Sequence, residues 1–512
     1  RTRGVRLAKR AIATARLANS CQAAASPMSD WAGTVVMKDD DAGVWVDPES
    51  RIALGHRRLS VIDLSPLGHQ PMVSADGRFI LSYNGEVYNF QGLRGELAAL
   101  GYPFKGHSDT EVLLAGFVHW GVNETLRRSD GMFALAVWDR QTRRLTLARD
   151  RAGKKPLYYG WCGQRFFFAS ELKALRAHPN FVAEIDRDAL ALFLCYSWMP
   201  CPHTIYRGMF QLSPGVSVEI DPEDATDRKP EECPFWSAKH VAEAGAQSPL
   251  APDIKTAAAG VESVLSEAVA ARMVADVSVG AFLSGGVDSS VVVALMQSQA
   301  SRPVKTFSIG FTEEAYNEAE HAKAVATHLG TDHTELYVTP ADCMDVIPKL
   351  PTLYDEPLGD YSQIPTYLVS ALARREVTVA LSGDGGDELF AGYNSYPQAL
   401  ARWNKGHNGR RRWPEPVRKH AVPPLIDLAR SGQDALAATT VLPAGMRRKI
   451  GKRFRRLEKR LTPLTVESPG EAYVQHRRRT VRPDDLVIGA RALPSRLSES
   501  TDWAEVDEAL LA

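Results

Sequence analysis

Hydrophobic positions in the first half of the chain come in short alternating runs, the pattern of strands buried on one face. Apolar residues recur at helical spacing in 91–100 and 110–120, and Gly101 and Gly121 end these two helices. The predicted strands are 52–55, 59–64, 79–88, 133–138, 145–149 and 166–169. Strands that enclose helices in this order predict an α+β domain built as a layered αββα sandwich.

The rhythm changes after 223–254, a proline-rich stretch that we interpret as a linker. Beyond it, strands alternate with longer helices, which predicts an α/β domain with a parallel sheet and helices on both faces. The predicted helices are 261–274, 291–299, 318–329 and 364–375, and the predicted strands are 277–283, 304–311, 334–338 and 377–381. The chain therefore divides into a basic segment (1–40), a first domain (41–222), the linker and a second domain (255–512).

Composition narrows the partners. The 512 residues carry 61 Lys and Arg against 61 Asp and Glu, so no net charge points to nucleic acid or a membrane surface, and small-molecule substrates are expected. No apolar run is long enough to span a bilayer. The six cysteines form no C-x-x-C pair, which favours buried thiols in a reducing cytoplasm over a metal site or a set of disulfides.

Two basic segments keep alternative interpretations. Residues 1–29 hold Lys and Arg but no acid, which fits a transit peptide, a disordered arm or an incomplete or misread start equally well. The cluster at 447–460 is favoured as a solvated helix face over a nucleic-acid patch, because Phe454 is its only aromatic residue. We assign neither segment a function.

Residues 284–290 (SGGVDSS) follow a predicted strand and precede a predicted helix, which is where parallel sheets bind ligands. Gly285 and Gly286 let the backbone turn its amides inward, and the helix start adds a positive end. Asp288 would repel a bare phosphate, so it suggests a bound Mg²⁺. The alternative is an ordinary glycine turn with a capping Asp or Ser.

A second glycine-rich turn, 382–388 (SGDGGDE), follows strand 377–381 and would lie at the same sheet edge. Two such turns can bracket a nucleotide and its metal. Residues 284–290 resemble the loop of N-type ATP pyrophosphatases. Together with 381–388, 354–357 (YDEP) and 330–333 (GTDH), they resemble the glutamine-hydrolysing asparagine synthetases.

In the first domain, polar residues interrupt apolar text at Arg58, Asn84, Glu86 and Asp109. An Asn amide with the Gly85 N–H can stabilise an oxyanion, Arg58 can bind a carboxylate, and Asp109 can bind an ammonium group. The alternatives are an Asn-Gly turn, a surface arginine and a Ser-Asp helix cap. With 150–159 (DRAGKKPLYY) and 168–173 (FASELK), the set resembles the class II glutamine amidotransferase domain, and the whole resemblance covers about 41–400.

The resemblance implies roles residue by residue. It makes Arg58, Asn84, Glu86 and Asp109 glutamine ligands, with Asn84 and Gly85 forming the oxyanion hole. It implies ATP as cosubstrate and Mg²⁺ as metal ion, with Asp288 and Asp387 as metal or pyrophosphate ligands. The implied ATP contacts are Leu283, Ser284, Gly285, Gly286, Asp288, Ser289, Ser290, Ile309, Ser382 and Gly383. Asp384 stands where the family often has Glu, at the position tied to forming the aspartyl-adenylate.

The chain departs from the family pattern at both ends. The family's nucleophile is an N-terminal cysteine, and Cys21, being internal, is not a candidate. Residues 37–41 (MKDDD) replace the family's H-R-G-P-D-D, and no segment like L-P-D-D-x-L-x-K-V-D-R precedes Ala512, so a catalytic lysine expected there is unassigned. We expect a second domain that is truncated at its C-terminus.

The implied function is an ATP-dependent amide ligase that hydrolyses glutamine and makes asparagine from aspartate through β-aspartyl-AMP. Two alternatives stay open: an amidotransferase acting on another carboxylate, and a truncated homologue that only binds nucleotide or a partner. The implied small-molecule partners are glutamine, aspartate and ATP, with no nucleic acid or membrane, and a homodimer is one option for the oligomeric state.

Overall fold

The computed structural model describes residues 33–37, 42–222, 229–249, 253–311, 317–410, 414–438, 443–465, 468–477, 486–491 and 493. The basic segment that precedes residue 33, with Cys21, lies outside the described residues, as does the end of the chain from residue 494.

The first domain alternates strands and helices as the pattern predicted, with small shifts at the ends. Its elements are β1 (Gly33–Met37), β2 (Ala42–Asp47), β3 (Ile52–Arg57), β4 (Met72–Val73), β5 (Phe79–Val87), α1 (Phe90–Ala99), α2 (Asp109–Trp120), α3 (Val122–Arg128), β6 (Gly131–Asp139), β7 (Arg144–Arg149), β8 (Tyr158–Cys162), β9 (Arg165–Ala169), α4 (Leu172–Arg176), α5 (Arg187–Tyr196), β10 (Met209–Gln211), β11 (Val216–Ile220) and β12 (Glu232–Pro234).

These strands form an antiparallel six-stranded sheet in the order β12-β11-β7-β6-β5-β4, with two three-stranded sheets beside it, β1-β2-β3 and β10-β8-β9. One hydrophobic core joins the large sheet to α1 and α2 through residues such as Leu81 and Leu113. A second core, which contains Trp138 and Tyr159, lies between the sheets. A third core packs α4 and α5 against β8. Helices therefore cover both outer faces, and the predicted αββα sandwich is confirmed.

One predicted strand is wrong. Residues 59–64 form a loop, although their apolar spacing suggested a strand. Its backbone groups bind outside any ladder: the carbonyls of Ile62 and Asp63 accept from the Arg58 guanidinium, and the Val61 carbonyl accepts from the Asp276 amide. Tertiary hydrogen bonds thus replace the strand pairing that the local pattern favoured.

The 223–254 stretch is more ordered than its composition suggested. In its described part, β12 pairs with β11 as the edge of the large sheet, and a helix, α6 (Ala238–Gln247), follows. The Ser237 hydroxyl caps that helix by accepting from the His240 amide at 3.4 Å.

The second domain continues with α7 (Ile254–Arg272), β13 (Val279–Phe282), α8 (Val287–Gln299), β14 (Lys305–Phe311), α9 (Ala319–Leu329), β15 (Asp332–Val338), α10 (Pro340–Val346), α11 (Leu350–Leu353), α12 (Gln363–Ala373), β16 (Val379–Leu381) and α13 (Gly386–Leu389). The four strands form a parallel sheet in the order β15-β14-β13-β16. Cores lie on both sheet faces, one with Val293 of α8 and Ala326 of α9, the other with Leu372 of α12. The predicted α/β arrangement is confirmed.

The chain ends in helices, α14 (Ser395–Arg410), α15 (Val422–Ala438), α16 (Ala444–Thr465) and α17 (Pro469–Arg477). The basic cluster at 447–460 lies on α16, which packs against α15 through Val422, Ile426, Leu461 and Leu464. Glu458 of this helix accepts from Arg430 of α15 at 2.9 Å. Among the described residues, no helix is long and apolar enough to cross a membrane.

Candidate active sites

The turn after β13 is built as an anion site. Gly285 has a φ of 82°, in the left-handed region that glycine adopts without strain, and Gly286 starts α8 with no side-chain cap. The first-turn amides of this helix are therefore open to an anion, and the alternative of a simple capped turn is wrong. The helix begins at Val287, two residues earlier than the Ser289 start that the sequence suggested.

Hydroxyl groups hold this turn in shape. The Ser284 hydroxyl lies 3.0 Å from that of Ser289 and accepts from the Gly286 amide at 3.3 Å. The Ser290 hydroxyl is buried and has no partner among the described residues. A buried hydroxyl without a partner is costly, so it fits a group that a phosphate oxygen would satisfy.

The second turn, 382–386, lies directly against the first. A Cβ atom at Gly383 would stand 2.6 Å from the Ser289 nitrogen, and one at Gly386 would stand 2.5 Å from the Asp288 carboxylate. Only glycine fits such an approach. The structure thus brings the two predicted turns together at one sheet edge, at the carboxyl ends of β13 and β16.

Other predicted ATP-site residues fall into place less uniformly. Ile309 is half-buried near the carboxyl end of β14, at this same edge. Leu283 is 1% exposed and part of the core, so only its backbone faces the turn. Asp384 is exposed and accepts from the Ser382 hydroxyl at 3.0 Å. Asp387 begins α13 and turns its carboxylate toward Gly392.

The described residues contain no cluster of three or more His, Cys, Asp or Glu side chains able to hold a metal ion. Asp288 and Asp387 are therefore two carboxylates without a protein cage. This donor set fits Mg²⁺, which commonly takes one or two carboxylates together with substrate phosphates and water.

In the first domain, the Asn84 and Gly85 positions lie within β5, so the Asn-Gly turn is wrong. Gly85 pairs with Phe133, whose amide and carbonyl both bond to Asp150 on the far side, so Gly85 points its own amide away from β6. The Tyr83 and Val87 amides point the same way, toward Gln70 and Asp109.

Between those two occupied amides, the Gly85 amide has no acceptor among the described residues. The Asn84 side-chain amide lies one residue away and donates to the Ser170 hydroxyl at 3.1 Å. A Cβ at Gly85 would overlap the backbone of β6. Asn84 and Gly85 thus offer two N–H donors from one strand, the arrangement that an oxyanion hole needs.

Two carboxylates face this strand. Asp109 is 5% exposed, and its Oδ2 accepts from the Tyr83 hydroxyl at 2.8 Å and the Val87 amide at 2.9 Å. Burial raises the pKa of Asp109, and burial together with repulsion from Asp109 raises the pKa of Glu86. An ammonium group between them would relieve this repulsion, so the pair is suited to an amino-acid substrate.

Asp109 also begins α2, where the preceding Ser108 hydroxyl accepts from the Glu111 amide at 3.2 Å. The Ser-Asp helix cap therefore exists alongside the buried carboxylate. The surface-arginine alternative for Arg58 is wrong, because its guanidinium is half-buried and donates to the Ile62 and Asp63 carbonyls at 2.8 and 2.6 Å.

A contact between the domains escaped the sequence analysis. Glu356, in the YDEP segment of the second domain, accepts from the Ile205 amide at 2.8 Å and the Tyr158 hydroxyl at 3.4 Å, both in the first domain. Beside it, Asp355 accepts from the Lys173 amide and side chain, each at 3.3 Å. The motif letters marked these residues, but no local pattern names partners about 150–200 positions away.

Family comparisons agree with this geometry. A glutamine amidotransferase domain model matches residues 33–233, and an asparagine synthase model matches 260–510. A putative glutamine-hydrolyzing asparagine synthetase 2 from Methanocaldococcus jannaschii is 37% identical over 70% of this chain and 70% of its own length. The chain belongs to the asparagine synthetase family.

Other members of the asparagine synthetase family are longer. Glutamine-hydrolyzing asparagine synthetase 1 from Bacillus subtilis is 36% identical over 69% of this chain and 54% of its own length. A putative glutamine-hydrolyzing asparagine synthetase from Mycobacterium bovis is 37% identical over 71% of this chain and 56% of its own. The chain thus spans about half the length of these two relatives.

Among solved structures, a glutamine phosphoribosylpyrophosphate amidotransferase from B. subtilis covers 56% of this chain and 76% of its own, at 16% identity and a TM-score of 0.29, too low to support an argument.

The glycine packing predicts a selective defect. Gly386→Ala places a methyl group against the Asp288 carboxylate, and overpacking of this kind costs about 1–3 kcal/mol, so ATP affinity should fall about tenfold or more. Gly260→Ala, in α7 with open space around it, is the matched control and should leave affinity unchanged. Calorimetric titration with ATP measures both, and equal affinities would contradict the packing account.

The domain contact predicts a pH-dependent stability. Burial raises the pKa of Glu356 to about 7, above its value in an unfolded chain. The stabilisation is therefore complete below about pH 4.5, the unfolded value, and is lost as pH rises through 7, because the unfolded state releases its proton first.

Glu356→Gln cannot ionise, so its melting temperature should gain on that of the wild type between pH 5 and about 8. Glu184→Gln, which removes a surface pair with Arg207, should keep a constant offset over that range. Melting curves across pH decide the matter. A difference for Glu356→Gln that does not change with pH would contradict the raised pKa.

Proposed function

We propose that this chain is an ATP-dependent amide ligase that transfers glutamine-derived ammonia to aspartate. The observation that carries the proposal is the pair of glycine turns meeting at Asp288 in one domain while the Asn84–Gly85 donors and two buried carboxylates meet in the other. An anion site for ATP and a pocket for an amino acid with a side-chain carbonyl thereby occur in one chain.

In the first domain, Glu86 and Asp109 would hold the ammonium of glutamine, and Arg58 its α-carboxylate. The Asn84 side chain and the Gly85 amide would donate to the oxyanion that forms when the side-chain amide is attacked. These roles follow from the charges and donors already described. The product of this half-reaction would be ammonia together with glutamate.

In the second domain, the aspartate β-carboxylate would attack the α-phosphorus of ATP, and the bond to the departing pyrophosphate would break. The amides that begin α8, with the Ser289 and Ser290 hydroxyls, would hold the pyrophosphate. Asp288 and Asp387 would hold Mg²⁺, which supplies positive charge to the leaving phosphates. Ammonia would then displace AMP from β-aspartyl-AMP, a step that a free carboxylate does not permit because oxide is a poor leaving group.

Aspartate as the acceptor is the part of this proposal that needs its own test. Pyrophosphate release from ATP, with ammonium as nitrogen donor, should depend on aspartate and respond far less to glutamate or other carboxylic acids. Equal turnover without aspartate would favour another acceptor. Ammonium bypasses the first domain, so the result reports on the second domain alone.

Asp288→Asn should reduce pyrophosphate release about 10²–10³-fold, because it removes a charge that holds the metal and pyrophosphate. Glutamine binding to the first domain should not change. Asp345→Asn, on the exposed surface of α10, makes the same chemical change in the same domain and should retain activity. Pyrophosphate release by Asp288→Asn at the rate of this control would exclude the metal role.

A further inference from the structure

The segment between α7 and β13 contacts the first domain through a single acidic residue. Asp276 Oδ2 accepts from the Asp63 amide at 2.8 Å and lies 2.9 Å from His107 Nε2. The Asp276 amide donates to the Val61 carbonyl at 2.9 Å. One residue of the second domain thus makes three hydrogen bonds to two separate loops of the first.

Those two loops carry the proposed glutamine ligands. The Arg58 guanidinium donates to the Ile62 and Asp63 carbonyls, so the loop that Asp276 binds also sets the position of Arg58. His107 stands two residues before Asp109, and its amide donates to Asp63 Oδ2 at 3.0 Å. The Asp63 side chain is fully buried where the loops meet.

The same segment reaches a third part of the pocket. The Arg272 guanidinium, at the end of α7, lies 4.0 Å from the centroid of the Tyr88 ring, two residues after Glu86. On its other side, Asp276 stands three residues before β13, the strand that leads into the Ser284 turn. Asp276 therefore lies on the shortest covalent path between the ATP turn and a direct contact with the glutamine pocket.

We propose that Asp276 is a positioning residue through which the second domain holds the Arg58 and Asp109 loops in the shape that binds glutamine. The proposal rests on the proposed function of the first domain. It assigns Asp276 no contact with substrate. Its action is on the two loops, and the required group is the hydrogen-bond acceptor rather than the negative charge.

This distinction designs the variants. Asp276→Ala removes the acceptor from a side chain that is 43% exposed, so the fold should tolerate it. Asp276→Asn keeps an oxygen that can accept both hydrogen bonds and should rescue the effect. Asp345→Ala, on exposed α10, is the matched control. His107→Ala removes one partner, and its effect should not add fully to that of Asp276→Ala.

Two readouts on the full chain test the proposal. By hydrogen–deuterium exchange, Asp276→Ala should speed exchange in 59–68 and in 104–109 about tenfold, while the β13–β16 sheet keeps its protection. By calorimetric titration, the dissociation constant for L-glutamine should rise about tenfold, while ammonium-dependent pyrophosphate release stays unchanged.

The proposal is overturned if exchange rises in neither loop or in only one, if Asp276→Asn behaves like Asp276→Ala, or if glutamine binding and ammonium-dependent release fall together. Failure of the proposed function has a different signature. The wild-type chain would then release no aspartate-dependent pyrophosphate, while the exchange comparison between wild type and variants would still decide the role of Asp276 in the loops.

Discussion

The close approach of two backbone turns at one edge of the parallel sheet is the constraint on which the synthetase half depends. Positions 383 and 386 have no space for a Cβ atom, because Asp288 and Ser289 of the neighbouring turn occupy it. The order β15-β14-β13-β16 places the ends of β13 and β16 side by side, so both turns emerge at adjacent strands. A site shaped by backbone contact is rigid before any ligand arrives, which favours tight positioning of phosphate groups.

The amidotransferase half follows a related logic on an antiparallel sheet. Alternate residues of β5 point their amides to opposite edges, and the outward-facing set comprises Tyr83, Gly85 and Val87. Gln70 and Asp109 satisfy the outer two amides and leave the central one for a substrate oxygen. In both halves, the backbone supplies donors and a few buried side chains fix where those donors point.

Sequence patterns predicted most of this architecture because the information is local. Apolar spacing located β13, β14, β15 and β16 to within a few residues, and glycine-rich text located both turns. The same reasoning failed at 59–64, where Arg58 and Asp276 bind the backbone that a ladder would have used. It also missed Asp276, His107 and Glu356, whose partners lie more than 150 residues away. A lone acid in a loop carries no signal of such a partner, because the partner is specified by the packing of two domains.

The central claim is that ATP activates the acceptor by adenylation, and isotope transfer tests it most directly. Aspartate labelled with ¹⁸O in its β-carboxylate should be incubated with the chain, ATP, Mg²⁺ and ammonium, and the products analysed by mass spectrometry. The account predicts one ¹⁸O atom in AMP, because a carboxylate oxygen bonds to the α-phosphorus and remains there when ammonia displaces AMP. Recovery of the label in inorganic phosphate, with ADP as the nucleotide product, would contradict it.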